Sequence, residues 1–339
     1  MKYTESYEPN RKRYETMQYR FCGASGLKLP VMSFGLWHNF NITSSYENCR
    51  KLVLGAFDLG ITHFDLANNY GPVPGTSEQI FGEILKQDLR EHRDELLITT
   101  KAGYDMWEGP YGSGGSKKYL ISSLDQSLQR MGLDYVDIFY HHRPDAETPI
   151  EETAEALEQI IRQGKALYIG ISNYGPEDTE RMEKELKRRN LHCLIHQVRY
   201  SMLDQSNREV LKKAKELSIG TIAFCPLAQG LLTDKYLNGI PENSRAASGS
   251  KFFDKNKITP EKLEAVRMLN QIALNRGQSL AQMALIWNLQ KNTSVILGAS
   301  RLEQIHENVR ALDNMQLTEQ ELSQMNVILS NLEEKEKKV

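Results

Sequence analysis

Eight short apolar runs recur along this chain, and most are followed by a segment of helical periodicity. The runs are Leu29–Ser33, Thr62–Ala67, Leu96–Thr100, Tyr135–Tyr140, Ala166–Ile171, Leu191–Val198, Gly220–Phe224 and Ser294–Leu297. Each has strand length, and the turn residues between them favour strands over buried helices. Strands that alternate with helices predict a parallel sheet, because parallel neighbours need a crossover between them. Eight such units in a chain of 339 residues predict an α/β fold, a closed (β/α)8 barrel in one domain over residues 1–339. Composition shows no linker, and residues 1–18 read as a polar N-terminal extension.

The helical segments have recognisable ends. Glu47–Leu59 stops at Gly60, and Ser77–Leu85 takes Ser77 as its N-cap. Ser116–Met131 is amphipathic. Pro149–Gln163 places Pro149 in a first turn and ends at Gly164. Pro176–Arg189, Arg208–Leu217, Glu261–Asn275, Leu280–Leu289 and Glu303–Leu312 follow, and Thr318 with Glu321 caps a C-terminal helix to Leu332. A hairpin precedes the alternation, its turn at Gly23–Gly26. Two longer excursions, Trp107–Gly115 and Gly230–Lys257, leave the strand ends that also carry the chemistry.

Bulk properties narrow the partners. A formal charge of −2 gives no electrostatic case for nucleic acid or an anionic membrane. No apolar stretch is long enough for a membrane span, and the polar N-terminus does not read as a secretory signal. The four cysteines form no CxxC pair, which predicts reduced thiols in a cytoplasmic protein. A homo-oligomer stays open. The GxGxxG fingerprint fails, because Lys117 stands where the third glycine would follow Gly112 and Gly114. Walker A, HExxH and GxSxG patterns are absent, which argues against a Rossmann dehydrogenase, a nucleotide triphosphatase, a zinc protease and an α/β-hydrolase.

The polar residues at the strand ends point elsewhere. Asp65 and Tyr70 follow the second strand, Lys101 ends the third, and His141-His142-Arg143 follows the fourth. In a parallel barrel these ends open on one rim. Taken singly, each has an ordinary reading as turn cap, packing or solvated charge. Taken together they form a proton-transfer set. A free tyrosine, with a pKa of about 10, is a poor acid-base group near neutrality, and a lysine ammonium beside it lowers that value. An aspartate holds the lysine, and a histidine orients a carbonyl.

The segments Phe64–Gly71, Thr100-Lys101, Asp137–Arg143 and Gly170–Tyr174 resemble the aldo-keto reductase superfamily, and the resemblance covers Tyr19 to Leu312. It implies a TIM barrel with an N-terminal hairpin and a C-terminal helix. It further implies a catalytic tetrad of Asp65, Tyr70, Lys101 and a histidine. His142, which precedes Arg143-Pro144, matches better than His141. By the same resemblance Ser172, Asn173 and Gln197 hold the nicotinamide carboxamide of a cofactor site, to which Trp37 also belongs. Phe224 stacks on the ring, and Cys225, Pro226, Leu227, Ala228, Gln229 and Lys235 follow towards the pyrophosphate. Gly298, Ser300, Arg301, Gln304, Glu307 and Asn308 receive the adenosine and its 2′-phosphate, with Arg245 as a second contact. Serine and arginine at a helix start suit an anion, so NADPH is expected over NADH.

Within the superfamily the chain is similar to bacterial reductases of L-glyceraldehyde 3-phosphate and methylglyoxal. The segments that carry this are Gly35–Phe40, Asn69–Pro72 and Lys101–Trp107. A small aldehyde is the expected substrate. Potassium-channel β subunits resemble it too, but they carry Asn where this chain has His142. The loop Gly109–Gly115 with Lys117 and Lys118 is a candidate phosphate site, and the reading as a lid followed by solvated charges is favoured over it.

Overall fold

The structure is a computed structural model, and it describes residues 7–237 and 258–337. Arg245 and most of the second excursion lie outside the described residues. The described residues fall into two compact units. One contains the chain up to Val198 together with Asn207–Phe224 and Asn292–His306; the other contains Arg199–Ser206, Cys225–Lys291 and the chain from Glu307 onward.

The first unit holds the barrel. Strands β1 (Tyr19–Phe21) and β2 (Lys28–Pro30) form the antiparallel hairpin. The barrel strands are β3 (Met32–Gly35), β4 (His63–Asp65), β5 (Leu97–Ala102), β6 (Val136–His141), β7 (Ala166–Ser172), β8 (Cys193–Arg199), β9 (Gly220–Phe224) and β10 (Ser294–Leu297). They close in the order β10-β3-β4-β5-β6-β7-β8-β9. The predicted barrel is therefore present. Its first strand begins later than expected, at Met32. Leu29 and Pro30 pair instead with Arg20 and Tyr19 in the hairpin. Pro30 has no N–H to donate, so it suits the end of an edge strand and not a barrel ladder.

Helices α1 (Tyr46–Asp58), α2 (Thr76–Ile84), α3 (Lys117–Met131), α4 (Ile150–Arg162), α5 (Pro176–Lys187) and α6 (Arg208–Glu216) return the chain between strands. Ser77 is not the cap of α2. Gly75 takes that place at φ 91°, a left-handed conformation that suits glycine. Ser77 lies inside the helix, and its hydroxyl donates to the Leu36 carbonyl at 2.7 Å. Pro149 is the N-cap residue of α4 and not part of its first turn; its ring-fixed φ fits the extended cap as well. Residues 7–18 are tied to α1: the Tyr7 hydroxyl and the Asn10 amide both donate to Asp58, at 2.8 and 2.7 Å.

Alternation along each strand sorts the barrel interior. Ile138 and Tyr140 of β6, Ile195 of β8, Ile222 of β9 and Ile296 of β10 form one core cluster with Cys22 and Leu29 from the hairpin region. The Tyr140 ring is accommodated because residue 170 is glycine: a Cβ there would lie 2.4 Å from a ring carbon. The second unit contains α7 (Pro260–Asn275), α8 (Leu280–Leu289) and α10 (Glu319–Glu336). There Tyr200 stacks on Trp287 at 5.6 Å, and Arg276 pairs with Glu321 at 2.8 Å. Helix α9 (Leu302–Val309) follows β10. No helix among the described residues is long and apolar enough to cross a membrane.

Candidate active site

Parallel register brings the polar strand ends to one rim. Asp65 on β4 pairs with Gly35 and Thr99, Lys101 on β5 with Tyr140, and Ser172 on β7 with Gln197. Residues from four segments of sequence thus meet at the C-terminal ends of neighbouring strands.

Lys101 is the centre of the arrangement. Its side chain is fully buried, and its ammonium donates to Asp65 Oδ2 at 2.7 Å, to the Leu66 carbonyl at 2.6 Å and to the Tyr70 hydroxyl oxygen at 3.1 Å. An ammonium has three N–H groups, and these three acceptors use all of them. The Tyr70 oxygen is therefore an acceptor toward Lys101, and the phenol proton points away from the lysine. Burial pulls the Lys101 ammonium below its ordinary pKa, and Asp65 opposes that fall. The other Asp65 oxygen accepts from Gln197 Nε2 at 2.9 Å and from Thr99 Oγ1 at 3.2 Å.

The two histidines separate. The His142 ring lies edge-on to Tyr70 at 6.0 Å and to Tyr104 at 4.7 Å. Its Nδ1 is buried without a hydrogen-bond partner. Burial, reinforced by Lys101, His141 and Arg143, holds its pKa well below the usual value, so the imidazole is neutral near pH 7. His141 is turned elsewhere, its Nδ1 at 2.5 Å from the Tyr174 hydroxyl. The structure thus brings His142, and not His141, to Tyr70.

Residues expected at the nicotinamide end cluster on the same rim. Trp37 lies 6.3 Å from Tyr70, ring to ring. The Ser172 hydroxyl donates to the Gln197 carbonyl at 3.0 Å. Asn173, at φ 60°, donates through Nδ2 to the His142 carbonyl at 3.0 Å. Gln197 has a further task that the sequence did not show, since its amide is on Asp65. Phe224 ends β9 and is partly exposed.

The remaining residues lie in two stretches. Cys225, Pro226, Leu227, Ala228 and Gln229 form a tight segment in which Cys225, Ala228 and Gln229 all have positive φ, an unusual run for residues other than glycine. Lys235 follows in a 3-10 turn and is exposed. After β10, Gly298, Ser300 and Arg301 precede α9. The Ser300 amide, the Ser300 hydroxyl and the Arg301 amide converge on Gln304 Oε1 at 2.8, 3.2 and 3.2 Å. Ser300 thus donates through both its amide and its hydroxyl. On the far turn of α9, Glu307 accepts from Gln282 through its carbonyl at 2.8 Å, and Asn308 is buried.

Sequence reading missed Thr99, His63 and Tyr104. Thr99 and His63 stand two residues before Lys101 and Asp65, hence on the same strand face, and that period was the available signal. The candidate phosphate loop is otherwise engaged. Lys117 Nζ pairs with Glu155 at 2.8 Å, and the Gly115 amide donates to Asp145 at 2.8 Å. A phosphate there would have to displace carboxylates.

Comparison with known proteins gives the same assignment. The Aldo/keto reductase family profile matches residues 31–330. The L-glyceraldehyde 3-phosphate reductase of Escherichia coli (strain K12) is 55% identical over 323 residues, 93% of each chain. A probable voltage-gated potassium channel subunit beta of Arabidopsis thaliana is 35% identical over 306 residues, 88% of this chain and 92% of that one. A counterpart from Oryza sativa subsp. japonica is 34% identical over the same length. The barrel, the rim and these matches agree: the chain belongs to the aldo/keto reductase family of oxidoreductases.

Proposed function

We propose that this protein reduces small aldehydes with NADPH, L-glyceraldehyde 3-phosphate and methylglyoxal among them, and that Tyr70 gives the proton. The observation that carries the reading is the direction of the Lys101 hydrogen bonds. Lysine donates to the phenol oxygen, so it favours the phenolate that remains after the proton leaves. The nicotinamide cofactor supplies the hydride when bound. His142, kept neutral, is suited to donate a hydrogen bond to the substrate carbonyl and orient it; it is ill suited to be the acid. Asp65 holds Lys101 in place, and Ser172 and Asn173 hold the nicotinamide end.

The residues after β10 fit a phosphate. Two amides and a hydroxyl meet on a neutral amide oxygen, and a phosphate oxygen is a stronger acceptor for the same donors. Arg301 is exposed beside them and supplies a positive charge. This supports NADPH over NADH.

The test is NADPH consumption across a panel of short aldehydes, phosphorylated and not. Turnover is expected, and Tyr70→Phe should lower it by at least about 10²-fold, with NADPH affinity retained. Tight NADPH binding with no turnover on any aldehyde would refute the reading and favour the binding role that the channel-subunit relatives suggest.

A further inference from the structure

The proton-transfer set leaves four buried polar side chains unexplained. Ser33, His63, Thr99 and Ser294 are all fully buried, on β3, β4, β5 and β10. Ser33 Oγ lies 2.8 Å from Ser294 Oγ and 2.8 Å from His63 Nδ1. His63 Nε2 lies 3.3 Å from Thr99 Oγ1, and Thr99 Oγ1 lies 3.2 Å from Asp65 Oδ1. A continuous hydrogen-bond chain thus runs over four neighbouring strands and ends on the carboxylate that holds Lys101. Apolar side chains of similar shape would serve folding as well, so the polar set calls for a reason beyond stability.

Counting protons gives the chain a direction. An ionised Asp65 only accepts. If Thr99 donates to it, the Thr99 oxygen is left to accept from His63 Nε2–H. His63 then presents a bare Nδ1, which accepts from Ser33, and Ser33 accepts from Ser294. Every group is satisfied. In the other tautomer Nε2 is bare and competes for the single Thr99 proton with Asp65 at 3.2 Å and the more distant Phe64 carbonyl at 3.4 Å. Asp65 Oδ1 would then rest on Gln197 alone. A cationic His63 is disfavoured, since burial lowers its pKa to about 4.

We propose that His63 is a positioning residue for the reduction: its Nε2–H turns the Thr99 hydroxyl onto Asp65, which fixes the carboxylate that holds Lys101 against Tyr70. Two atoms of Asp65 are then held by three donors, from β5 and β8, and the carboxylate cannot pivot away from the lysine. The proposal rests on the reading of Tyr70 and Lys101 as the proton-donating pair.

Two measurements test it. The first is histidine ¹⁵N NMR of the full-length protein with NADP⁺ bound, the His63 signal being assigned by its loss in His63→Leu. A proton on Nε2 is expected; a proton on Nδ1 overturns the proposal, whatever the kinetics show. The second is steady-state reduction of glyceraldehyde by His63→Leu, Thr99→Val and the double variant. Loss of a bond to a charged group should lower kcat by about ten-fold in each single variant. The aldehyde KM and the NADPH Kd should stay within about two-fold of wild type. The double variant should be no worse than Thr99→Val, because both act through one bond, and Thr99→Ser should restore kcat. Unchanged kcat with a lowered melting temperature, or losses that simply multiply, would make the network structural only. If Tyr70→Phe stays active the underlying reading fails, and the tautomer result stands apart from that failure.

Discussion

Acidification should unfold this protein through its buried histidines before most carboxylates titrate. His63, His141 and His196 are all essentially inaccessible. Burial pulls their pKa values down to about 4, about 4 and about 3. In the unfolded chain each returns to about 6.5. The folded state therefore keeps these rings neutral while the unfolded state binds protons. Stability is complete above the unfolded value and is lost as pH falls from about 6.5 toward 4. Near pH 5 unfolding takes up close to one proton per ring; His142, also buried and held well below its usual value, is a fourth, and four rings give a slope of about 5 kcal/mol per pH unit. Between pH 6.5 and 5.5 the loss is about 4 kcal/mol, a large part of a usual 5–15 kcal/mol total. Urea unfolding at pH 7, 6.5, 6 and 5.5, followed by tryptophan fluorescence, gives the slope directly. His196 accepts from the Tyr174 amide at 3.3 Å and lies far from Lys101 in the ladder order. His196→Asn should lower the slope by about one proton, whatever it does to the absolute stability. Stability that is flat from pH 7 to 5.5 would refute the argument, since it would mean that these rings are protonated in the folded state or are not buried.

Two further outcomes follow from the site. Lys101→Met should abolish reduction and also destabilise the fold by about 3–5 kcal/mol, because Asp65 is left as a buried charge with only Gln197 and Thr99 on it; adding Asp65→Asn should recover stability by denaturant unfolding but not NADPH consumption, and activity in either variant would remove Lys101 from the mechanism. Arg301→Ala should weaken NADPH by about ten- to a hundred-fold in fluorescence titration while leaving NADH almost unchanged, and equal weakening of both would place 2′-phosphate recognition elsewhere.

The barrel was legible because strand and helix periods alternate without interruption, and strand ends in a parallel barrel share a rim whatever their separation in sequence. Where the reading slipped, the cause was local. Pro30 cannot serve a ladder, and a left-handed Gly75 starts α2 two residues before Ser77. The choice between His141 and His142 turns on strand alternation, which sends one to Tyr174 and the other to Tyr70. Side-chain partners were harder. Lys117 looked free until the fold set Glu155, on the next helix, beside it. Gln197 reaches Asp65 across 132 residues from a strand four places away in the barrel order, a contact set by closure of the barrel that no spacing expresses. Asp65 shows both cases at once. Its place beside Lys101 follows from strand ends, and the alternation that puts Thr99 on the face of Lys101 also puts His63 on the face of Asp65. A reader of the sequence who follows each strand inward by two residues from its chemical end arrives at the hydrogen bonds that steady the chemistry.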